Sequence, residues 1–325
     1  MKVCIFGAGA VGGHMAVRLA RGGADVSVVM RGANLAAVRA GGLELRREGA
    51  EPIHVTVPAS DDPAEFGQQD VVVLSVKYRA LAAALESIGP LVGHDTHVVS
   101  AMNGMPWWFA QDLPVAASDA LEDLLDPGHG FSRIVPIERW TACVVTSGNV
   151  VTEPGVINNT THVNKLRLGN SSGRPEPVTA AFAKHAQAGG YDARAVSDIR
   201  HHIWSKLLIN AGISSVATIC EQIVSDVCRE PRTRALCKGI IEEIMALGQR
   251  IGLTVEADPA AMTDPKTAPP HTPSFLQDLK AGRPLEIENG IVALVELAKA
   301  AGVPAVRLET VAAVMMARSR GASTA

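Results

Sequence analysis

The chain opens with Lys2-Val3-Cys4-Ile5-Phe6-Gly7-Ala8-Gly9-Ala10-Val11-Gly12, in which an apolar strand runs into a G-x-G-x-x-G turn. An Ala-rich helix, 11–21, is predicted to follow. In such a unit Gly7 permits the tight turn, Gly9 lets the backbone approach a pyrophosphate, and Gly12 lets the helix pack closely. The helix N-terminus adds free N–H groups that favour an anion. The pattern predicts dinucleotide binding by this turn; a purely structural glycine turn is the alternative.

The end of the second predicted strand, 25–30, indicates which dinucleotide is bound. A protein that binds NAD usually has an acid here, which accepts a hydrogen bond from the ribose 2′-hydroxyl. This chain has Met30-Arg31-Gly32 and no acid. Because a carboxylate would repel a 2′-phosphate and an arginine would bind it, we expect NADP, with Arg31 on the phosphate. The alternative is that Arg31 is only a solvated charge.

Length and composition are those of a globular protein with room for two domains. The chain has 325 residues, 47% of them hydrophobic and 19% charged, and a formal net charge of −3. No long basic run indicates a nucleic-acid surface, and no apolar stretch reaches the roughly 20 residues of a membrane span. The short apolar start is also unlike a signal peptide. We therefore expect a cytoplasmic protein that binds neither nucleic acid nor membrane.

The cysteines and histidines indicate neither a disulfide framework nor a metal site. The five cysteines are odd in number and contain no C-x-x-C pair. They are expected to be buried and reduced: Cys4, Cys143, Cys220, Cys228 and Cys237. The ten histidines are scattered, and the adjacent His201 and His202 cannot face one direction on a helix. No metal is expected.

Runs of β-branched residues that alternate with helical segments predict an α/β fold with a Rossmann-type, doubly wound sheet. Such runs are typical of parallel strands that are buried on both faces. A helix is expected at 78–88. Further strands of the sheet are expected at 54–57, 70–76, 97–101, 140–146, 155–157 and 165–168.

A cluster of Gly, Ser and Pro at 169–177 predicts a domain boundary. We expect an NADP-binding Rossmann domain, 1–170, followed by an all-helical substrate and catalytic domain, 171–325. The end of the chain, 321–325, is expected to fray. Helices of the second domain are expected at 178–189, 198–220, 231–251, 274–281, 287–301 and 304–318.

The helix that begins near His201 is apolar around most of its circumference. Lys206, Asn210 and Ser214 are four residues apart and form one polar stripe on it. Because an ammonium is costly to bury unless it faces a polar site or a partner, the stripe is expected to face a ligand. The alternative is a lysine that extends its charge to solvent from a core helix.

Several separated motifs, in order along nearly the whole chain, resemble the ketopantoate reductase (2-dehydropantoate 2-reductase) family. They are Gly7-Ala8-Gly9-Ala10-Val11-Gly12, Arg31, Ser75-Val76-Lys77, Met102-Asn103-Gly104, Pro154-Gly155-Val156-Ile157, Trp204-Ser205-Lys206-Leu207-Leu208-Ile209-Asn210, Ser274-Phe275-Leu276-Gln277-Asp278-Leu279 and Gly282-Arg283-Pro284-Leu285-Glu286-Ile287-Glu288. The resemblance implies NADPH-dependent reduction of a 2-oxo acid to a D-2-hydroxy acid. The specific reaction would be ketopantoate to D-pantoate, for pantothenate synthesis.

The resemblance also implies roles for single residues. Lys206 matches the catalytic lysine that protonates the carbonyl oxygen as hydride arrives, and Glu286 the glutamate that supports it. Asn210 and Ser274 match substrate-binding residues. Lys77 and Asn103 match residues on the nicotinamide side.

Two departures from the family pattern leave the identity of the oxo acid open. Ser214 stands where the family has a further asparagine, so its contact with substrate is expected to be weaker or mediated by water. The bulky stretch Pro106-Trp107-Trp108-Phe109 is expected either to cap the nicotinamide or to fill the core between the two domains, and we favour the core.

Two of these positions also have simpler explanations. Glu286 and Glu288 are predicted to lie in the first turn of a helix, where acids favour the dipole anyway. Ser274 follows Pro273 and could be only the N-cap of its helix.

Three functions are compatible with these residues. The first is an NADPH-dependent ketopantoate reductase, and the second is a reductase of the same fold for a different 2-oxo acid. The third is a non-enzymatic NADP-binding redox sensor, which would give no reason for the lysine stripe. Apolar helices in the second domain are compatible with a homodimer.

Overall fold

The computed structural model describes residues 1–174 and 176–322 and divides the chain into two compact units. The first unit is Met1–Asn103 with Pro127–Ile199, and the second is Gly104–Asp126 with the chain from Arg200 onward. The predicted α/β class is confirmed: the first unit holds a Rossmann-type sheet, and the described part of the second is helical. No helix within the described ranges is long and apolar enough to cross a membrane.

The first unit contains both strands and helices, and helices predominate in the described part of the second. The strands are β1 (Lys2–Phe6), β2 (Asp25–Val29), β3 (Leu43–Arg47), β4 (Ala50–Val55), β5 (Ala59–Ser60), β6 (Val71–Leu74), β7 (His97–Ser100), β8 (Trp140–Thr146), β9 (Asn149–Glu153), β10 (Val156–Asn159), β11 (Lys165–Gly169) and β12 (Asp192–Ala195). The helices are α1 (Ala10–Arg21), α2 (Gly32–Gly41), α3 (Leu81–Ser87), α4 (Asp119–Leu125), α5 (Pro177–Ala188), α6 (Ile199–Ile209), α7 (Ser215–Ile219), α8 (Val224–Arg229), α9 (Pro231–Arg250), α10 (Pro259–Met262), α11 (Ser274–Lys280), α12 (Ala293–Ala301) and α13 (Val306–Ala322).

The main sheet has the strand order β12-β11-β8-β7-β6-β1-β2-β5. Neighbouring strands are parallel except for β8 and β11. The central strand β1 pairs on both sides, so that Val3 lies between Val26 and Val71. Met15 and Leu19 of α1 join the core on one face of the sheet. Burial on both faces explains why β1 and β6 are continuous apolar runs.

A second, four-stranded sheet has the order β4-β3-β10-β9. The stretches 54–57 and 155–157 were expected in the main sheet, but β4, which ends at Val55, pairs with β3, and β10 pairs with β3 and β9. That expectation was wrong because strand patterns in the sequence do not indicate partners. Ile157 of β10 is buried in the same core as α1.

The chain passes from one unit to the other after Asn103, after Asp126 and after Ile199, and not at the predicted boundary after residue 170. Strand β12 lies beyond that boundary and pairs with β11, with Leu166 opposite Ala193. Helix α5 and β12 therefore stay with the first unit. The chain also enters the second unit at Gly104 and returns at Pro127, a crossing that no composition change marks.

Two predicted helices contain a π-helical turn, in which the backbone bond spans five residues instead of four. Asn210–Ser214 is such a turn between α6 and α7, and Glu288–Val292 is another before α12. The expected fraying at 321–325 falls partly outside the described residues, which end at 322 within α13.

Candidate functional site

The glycine turn has the geometry that the sequence predicts. The N–H of Gly7 donates to the Val29 carbonyl at 2.9 Å, and the N–H of Gly9 donates to the Gly7 carbonyl at 2.8 Å. Gly7 has φ +100°, a conformation that favours glycine. At Gly12 a Cβ would lie 2.3 Å from both the Gly7 carbonyl oxygen and the Ser75 hydroxyl oxygen. At Gly9 a Cβ would meet nothing within 4 Å, which leaves space for a pyrophosphate.

The other predicted cofactor residues follow strands at the same edge of the main sheet. Strands β7, β6, β1 and β2 are adjacent and parallel, so their carboxyl ends share one edge. Gly7 follows β1, Arg31 comes after β2, Lys77 after β6 and Asn103 after β7. The order of the strands reverses beside β1, and α/β sheets bind ligands at such a point. The structure therefore brings these expected positions to one edge.

Arg31 lies where a 2′-phosphate would be expected. It is exposed and is the N-cap residue of α2, and no acid lies in the first turn of that helix. Helix α1 likewise begins without an acid in its first turn. Two helix N-termini and Arg31 therefore lie at this edge, with no acid in the first turn of either helix, which fits a dinucleotide that carries an extra phosphate.

His14 of α1 is a buried group that sequence reasoning missed. Its ring is 0% exposed and accepts at Nε2 from Arg18 Nε at 3.2 Å. The ring proton of the neutral histidine is therefore assigned to Nδ1, which lies 3.0 Å from the Tyr191 hydroxyl and 3.3 Å from the Ser147 hydroxyl. Burial lowers the pKa of His14 to about 3, and the charge of Arg18 acts in the same direction. A histidine directly after the glycine turn, on a helix otherwise apolar at its centre, was the available signal.

The polar stripe of Lys206, Asn210 and Ser214 begins on α6 and continues into the turn that follows it, and its residues become more buried along the chain. Lys206 and Asn210 are half-buried, and Ser214 is 7% exposed. The neighbours Leu207 and Leu208 are buried. Lys206 and Asn210 are therefore the members of the stripe with most access to a ligand.

The π-turn Asn210–Ser214 is supported by a close contact with a distant helix and by local hydrogen bonds from hydroxyls. A Cβ on Gly212 would lie 2.5 Å from Ile241 Cγ1, so the turn packs closely on α9. The Ser215 hydroxyl donates to the Ala211 carbonyl, and the Thr218 hydroxyl donates to the Ser214 carbonyl at 2.7 Å. Hydroxyls thus bind backbone carbonyls that the widened turn leaves available. Such turns occur often at functional sites.

Glu286 and Ser274 lie in different local settings from those considered in the sequence. Glu286 is half-buried in the non-helical segment 283–287, so its placement in a first helical turn was wrong. Glu288 is the residue that begins the π-turn, and its carboxylate accepts from the Ile287 N–H at 3.0 Å. Ser274 is exposed and is the first residue of α11, whose N-cap is Pro273. The simpler explanation of Ser274 as an N-cap was therefore also wrong.

The segments that carry the predicted catalytic and substrate residues pack together in the second unit. The turn Asn210–Ser214 contacts both α11 and the turn Glu288–Val292. A Cβ on Gly290 would lie 4.0 Å from Leu207 Cδ2, the residue after Lys206. The roles of the individual side chains stay predictions.

No cluster of three or more His, Cys, Asp and Glu side chains in the described part of the chain could hold a metal ion. The cysteines are unpaired, and four of them are buried as expected. Cys220 is exposed, contrary to the expectation. Burial raises the pKa of Cys4 to about 11 and that of Cys237 to about 12, so both are unreactive thiols.

Two protein-family models match the chain. The model described as ketopantoate reductase PanE/ApbA matches residues 3–173, and the model described as ketopantoate reductase PanE/ApbA C terminal matches residues 198–319. A 2-dehydropantoate 2-reductase from Mesorhizobium japonicum is 33% identical over 320 residues, which cover 97% of each chain.

Solved structures have the same fold. A candidate ketopantoate reductase from Ralstonia solanacearum MolK2 gives a TM-score of 0.88 at 31% identity, covering 99% of this chain and 98% of that one. The ternary structure of D-mandelate dehydrogenase with NADH and anilino(oxo)acetate gives a TM-score of 0.83 at 20% identity, covering 99% of both chains. The latter likeness concerns the fold alone.

Proposed function

Because this chain belongs to the ketopantoate reductase family, we propose that it reduces 2-dehydropantoate (ketopantoate) to D-pantoate, with NADPH as the reductant. It is an oxidoreductase that acts on a CH–OH group. One combination of features supports the reductase chemistry: the chain has a glycine turn with open space at Gly9, at the carboxyl edge of its sheet, and a half-buried lysine on an apolar helix. The choice of ketopantoate as substrate is supported by the 33% identical 2-dehydropantoate 2-reductase. Because the proposed product is D-pantoate, the reaction would belong to pantothenate synthesis.

The first unit is proposed to bind NADP. The turn from Gly7 to Gly12 would hold the pyrophosphate and Arg31 the 2′-phosphate, while Lys77 and Asn103 would lie on the nicotinamide side. A reduced nicotinamide supplies the hydride when it is bound there. Arg31 at the N-cap of α2, with no acid in the first turn, supports NADP over NAD.

Lys206 is proposed to be the general acid. Addition of hydride to a ketone builds negative charge on the carbonyl oxygen, which a nearby ammonium stabilises and then protonates. Partial burial of Lys206 strengthens this interaction because less water screens the charge. Glu286 is proposed to orient the ammonium. The reaction requires Lys206 Nζ to reach the carbonyl oxygen while the cofactor is bound.

Asn210 and Ser274 are proposed to hydrogen-bond the substrate, since their segments pack together beside α6. Ser214 is proposed to contribute less, because it is shorter than asparagine and nearly buried.

The test is the oxidation of NADPH by the purified protein with ketopantoate as acceptor, followed by the loss of reduced-nicotinamide absorbance. The proposal expects turnover with ketopantoate, formation of the D-product, and a preference for NADPH over NADH. Absence of turnover with every oxo acid, together with tight NADPH binding, would instead support the redox sensor.

Ser214 supports a second candidate, a reductase of another 2-oxo acid. The family motif has asparagine at that position, and a serine leaves more room and fewer donors. A panel of branched and aromatic 2-oxo acids separates the candidates by kcat/KM. A higher value for one of these acids than for ketopantoate would assign the second function.

A further inference from the structure

We propose that the segment 104–109, here named the brace, positions the helix that carries Lys206 relative to the loop that carries Glu286. The brace directly follows Asn103 and contains the aromatic stretch for which a core was favoured over a place beside the nicotinamide; Trp108 and Phe109 are buried. The effect of the brace on catalysis rests on the proposed function. The brace and the residues that it contacts belong to the second unit.

One end of the brace is fixed to the π-turn that follows Glu286. Gly104 has φ +93°, and a Cβ there would lie 2.5 Å from the Asn289 carbonyl oxygen. The N–H of Met105 donates to the same carbonyl oxygen at 2.7 Å. Only glycine permits this close approach without displacing the turn Glu288–Val292.

The other end of the brace is fixed to α6. The rings of Phe109 and Trp204 are stacked, with centroids 6.0 Å apart and an interplanar angle of 6°. The Arg200 guanidinium lies 5.3 Å from the ring centre of Trp108, and its Nη2 donates to the Gln111 carbonyl at 2.8 Å. Both stacked rings are 0% exposed.

Trp204 is positioned by packing, because its indole N–H makes no hydrogen bond among the described residues. Its Nε1 is buried. A buried donor without a partner is costly, so packing contacts such as the stack on Phe109 must offset that cost. Trp204 lies two residues before Lys206, on the same helix.

The brace and α6 both lie close to Gly290 of the π-turn. A Cβ on Gly290 would lie 3.9 Å from Gly104 Cα and 4.0 Å from Leu207 Cδ2. The brace, α6 and the π-turn thus meet at one glycine. We therefore expect a shift of the brace to change the position of Lys206 relative to Glu286. A displacement of about 1 Å at a reacting group costs up to about a hundredfold in rate.

The test compares Gly104→Ala and Phe109→Leu with matched controls. Gly252→Ala introduces a Cβ at φ +76° where nothing lies within 4 Å, so it reproduces the backbone strain without the contact. Phe131→Leu removes a buried phenylalanine that packs edge-on against Trp140, 5.3 Å between ring centres, in the first unit. Rates are normalised to the amount of NADPH bound.

Each brace variant is expected to lower kcat per bound NADPH by about tenfold or more, with the Kd of NADPH within about twofold of wild type. The control variants are expected to lower Tm and to keep kcat. Equal kcat losses in brace and control variants, or none in either, would overturn the inference.

Crystal structures of the variants test the brace independently of turnover. The distance between Lys206 Nζ and the Glu286 carboxylate is expected to change by more than about 0.5 Å in Gly104→Ala or Phe109→Leu. An unchanged distance in both would overturn the positioning role. If the wild-type protein turns over no oxo acid, the proposed function fails and this distance still decides the inference.

Discussion

Arg283 donates from Nε to Oδ1 of Asp278 at 2.7 Å, and its backbone N–H donates to the Asp278 carbonyl at 2.8 Å. The pair closes the turn between α11, which starts at Ser274, and the segment that carries Glu286. Asp278 is 7% exposed, so its carboxylate depends on donors from the protein. The pair therefore links the positions of two predicted site residues.

Replacing Arg283 by Ala should weaken both stability and turnover. Loss of a donor to the buried Asp278 carboxylate is expected to lower the free energy of unfolding by about 1–3 kcal/mol. The turn before Glu286 is then less constrained, so kcat/KM for the oxo acid should fall by about tenfold. Urea unfolding and steady-state kinetics measure the two effects.

Arg307→Ala is the matched control for that variant. Like Arg283, Arg307 is a largely exposed arginine that forms an ion pair with a nearly buried carboxylate; its Nη1 lies 3.1 Å from Glu243 Oε1. It joins α13 to α9, away from Glu286 in the sequence. A similar loss of kcat/KM in Arg307→Ala would show that the turnover effect is only a loss of stability.

His14 should make the protein sensitive to moderate acid. The pKa of His14 is about 3 in the folded chain against an ordinary value of 6.5, so between these pH values the unfolded state binds more protons. The free energy of unfolding therefore falls as pH falls from 6.5 towards 3, by about 1.4 kcal/mol per pH unit from this group. Urea unfolding at pH 7 and pH 5 should show a smaller difference in His14→Gln than in wild type. Equal differences would contradict the assignment of a buried neutral ring, and His54→Gln, an exposed histidine, is the control.

Alanine substitutions at Gly12 and Gly9 should have different effects, the first on stability and the second on NADPH binding. Gly12→Ala places a Cβ 2.3 Å from two oxygen atoms and is expected to lower the free energy of unfolding by about 1–3 kcal/mol. Gly9→Ala meets open space, so unfolding without cofactor should stay within about 1 kcal/mol of wild type. Its Cβ would occupy the expected place of the pyrophosphate, and the Kd of NADPH should rise about tenfold or more. Unchanged NADPH affinity in Gly9→Ala would place the pyrophosphate elsewhere.

Arg31 should determine cofactor preference. Removing a guanidinium that binds a phosphate costs about 1.5–3 kcal/mol, so Arg31→Ala should weaken NADPH binding about tenfold to a hundredfold. Binding of NADH, which lacks the 2′-phosphate, should change little. Fluorescence titration gives both Kd values, with Arg133→Ala, an exposed arginine of the first unit, as control. An unchanged ratio of the two Kd values would refute the assignment.

The sequence predicts those parts of the fold that depend on local pattern. The glycine turn, the parallel strands and the apolar helix of Lys206 follow from residue spacing, and the structure places them as expected. Pairing partners do not follow from spacing: β10 has an ordinary strand pattern and still joins the second sheet. The passage of 104–126 into the second unit depends on long-range packing, such as that of Phe109 on Trp204.

The candidate site shows the same limit. Residue types at Lys206 and Asn210 indicate chemistry, whereas the π-turns beside them depend on contacts with distant segments, such as that of Gly212 with Ile241. A glycine within an apolar helix costs about 1 kcal/mol relative to alanine, and this was the available signal at Gly212 and Gly290. His14 went unnoticed because its partners Ser147 and Tyr191 are far away in sequence.

The role of Lys206 as general acid is decided by the single-turnover rate of hydride transfer in Lys206→Ala. Enzyme saturated with NADPH is mixed with ketopantoate, and the loss of reduced-nicotinamide absorbance is followed in wild type, Lys206→Ala and the surface control Lys238→Ala. If Lys206 is the proton donor, the rate should be lower by about a hundredfold or more in Lys206→Ala, with NADPH affinity within about twofold of wild type. An unchanged rate, or a loss that only matches a loss of NADPH affinity, would contradict the role of Lys206 as proton donor.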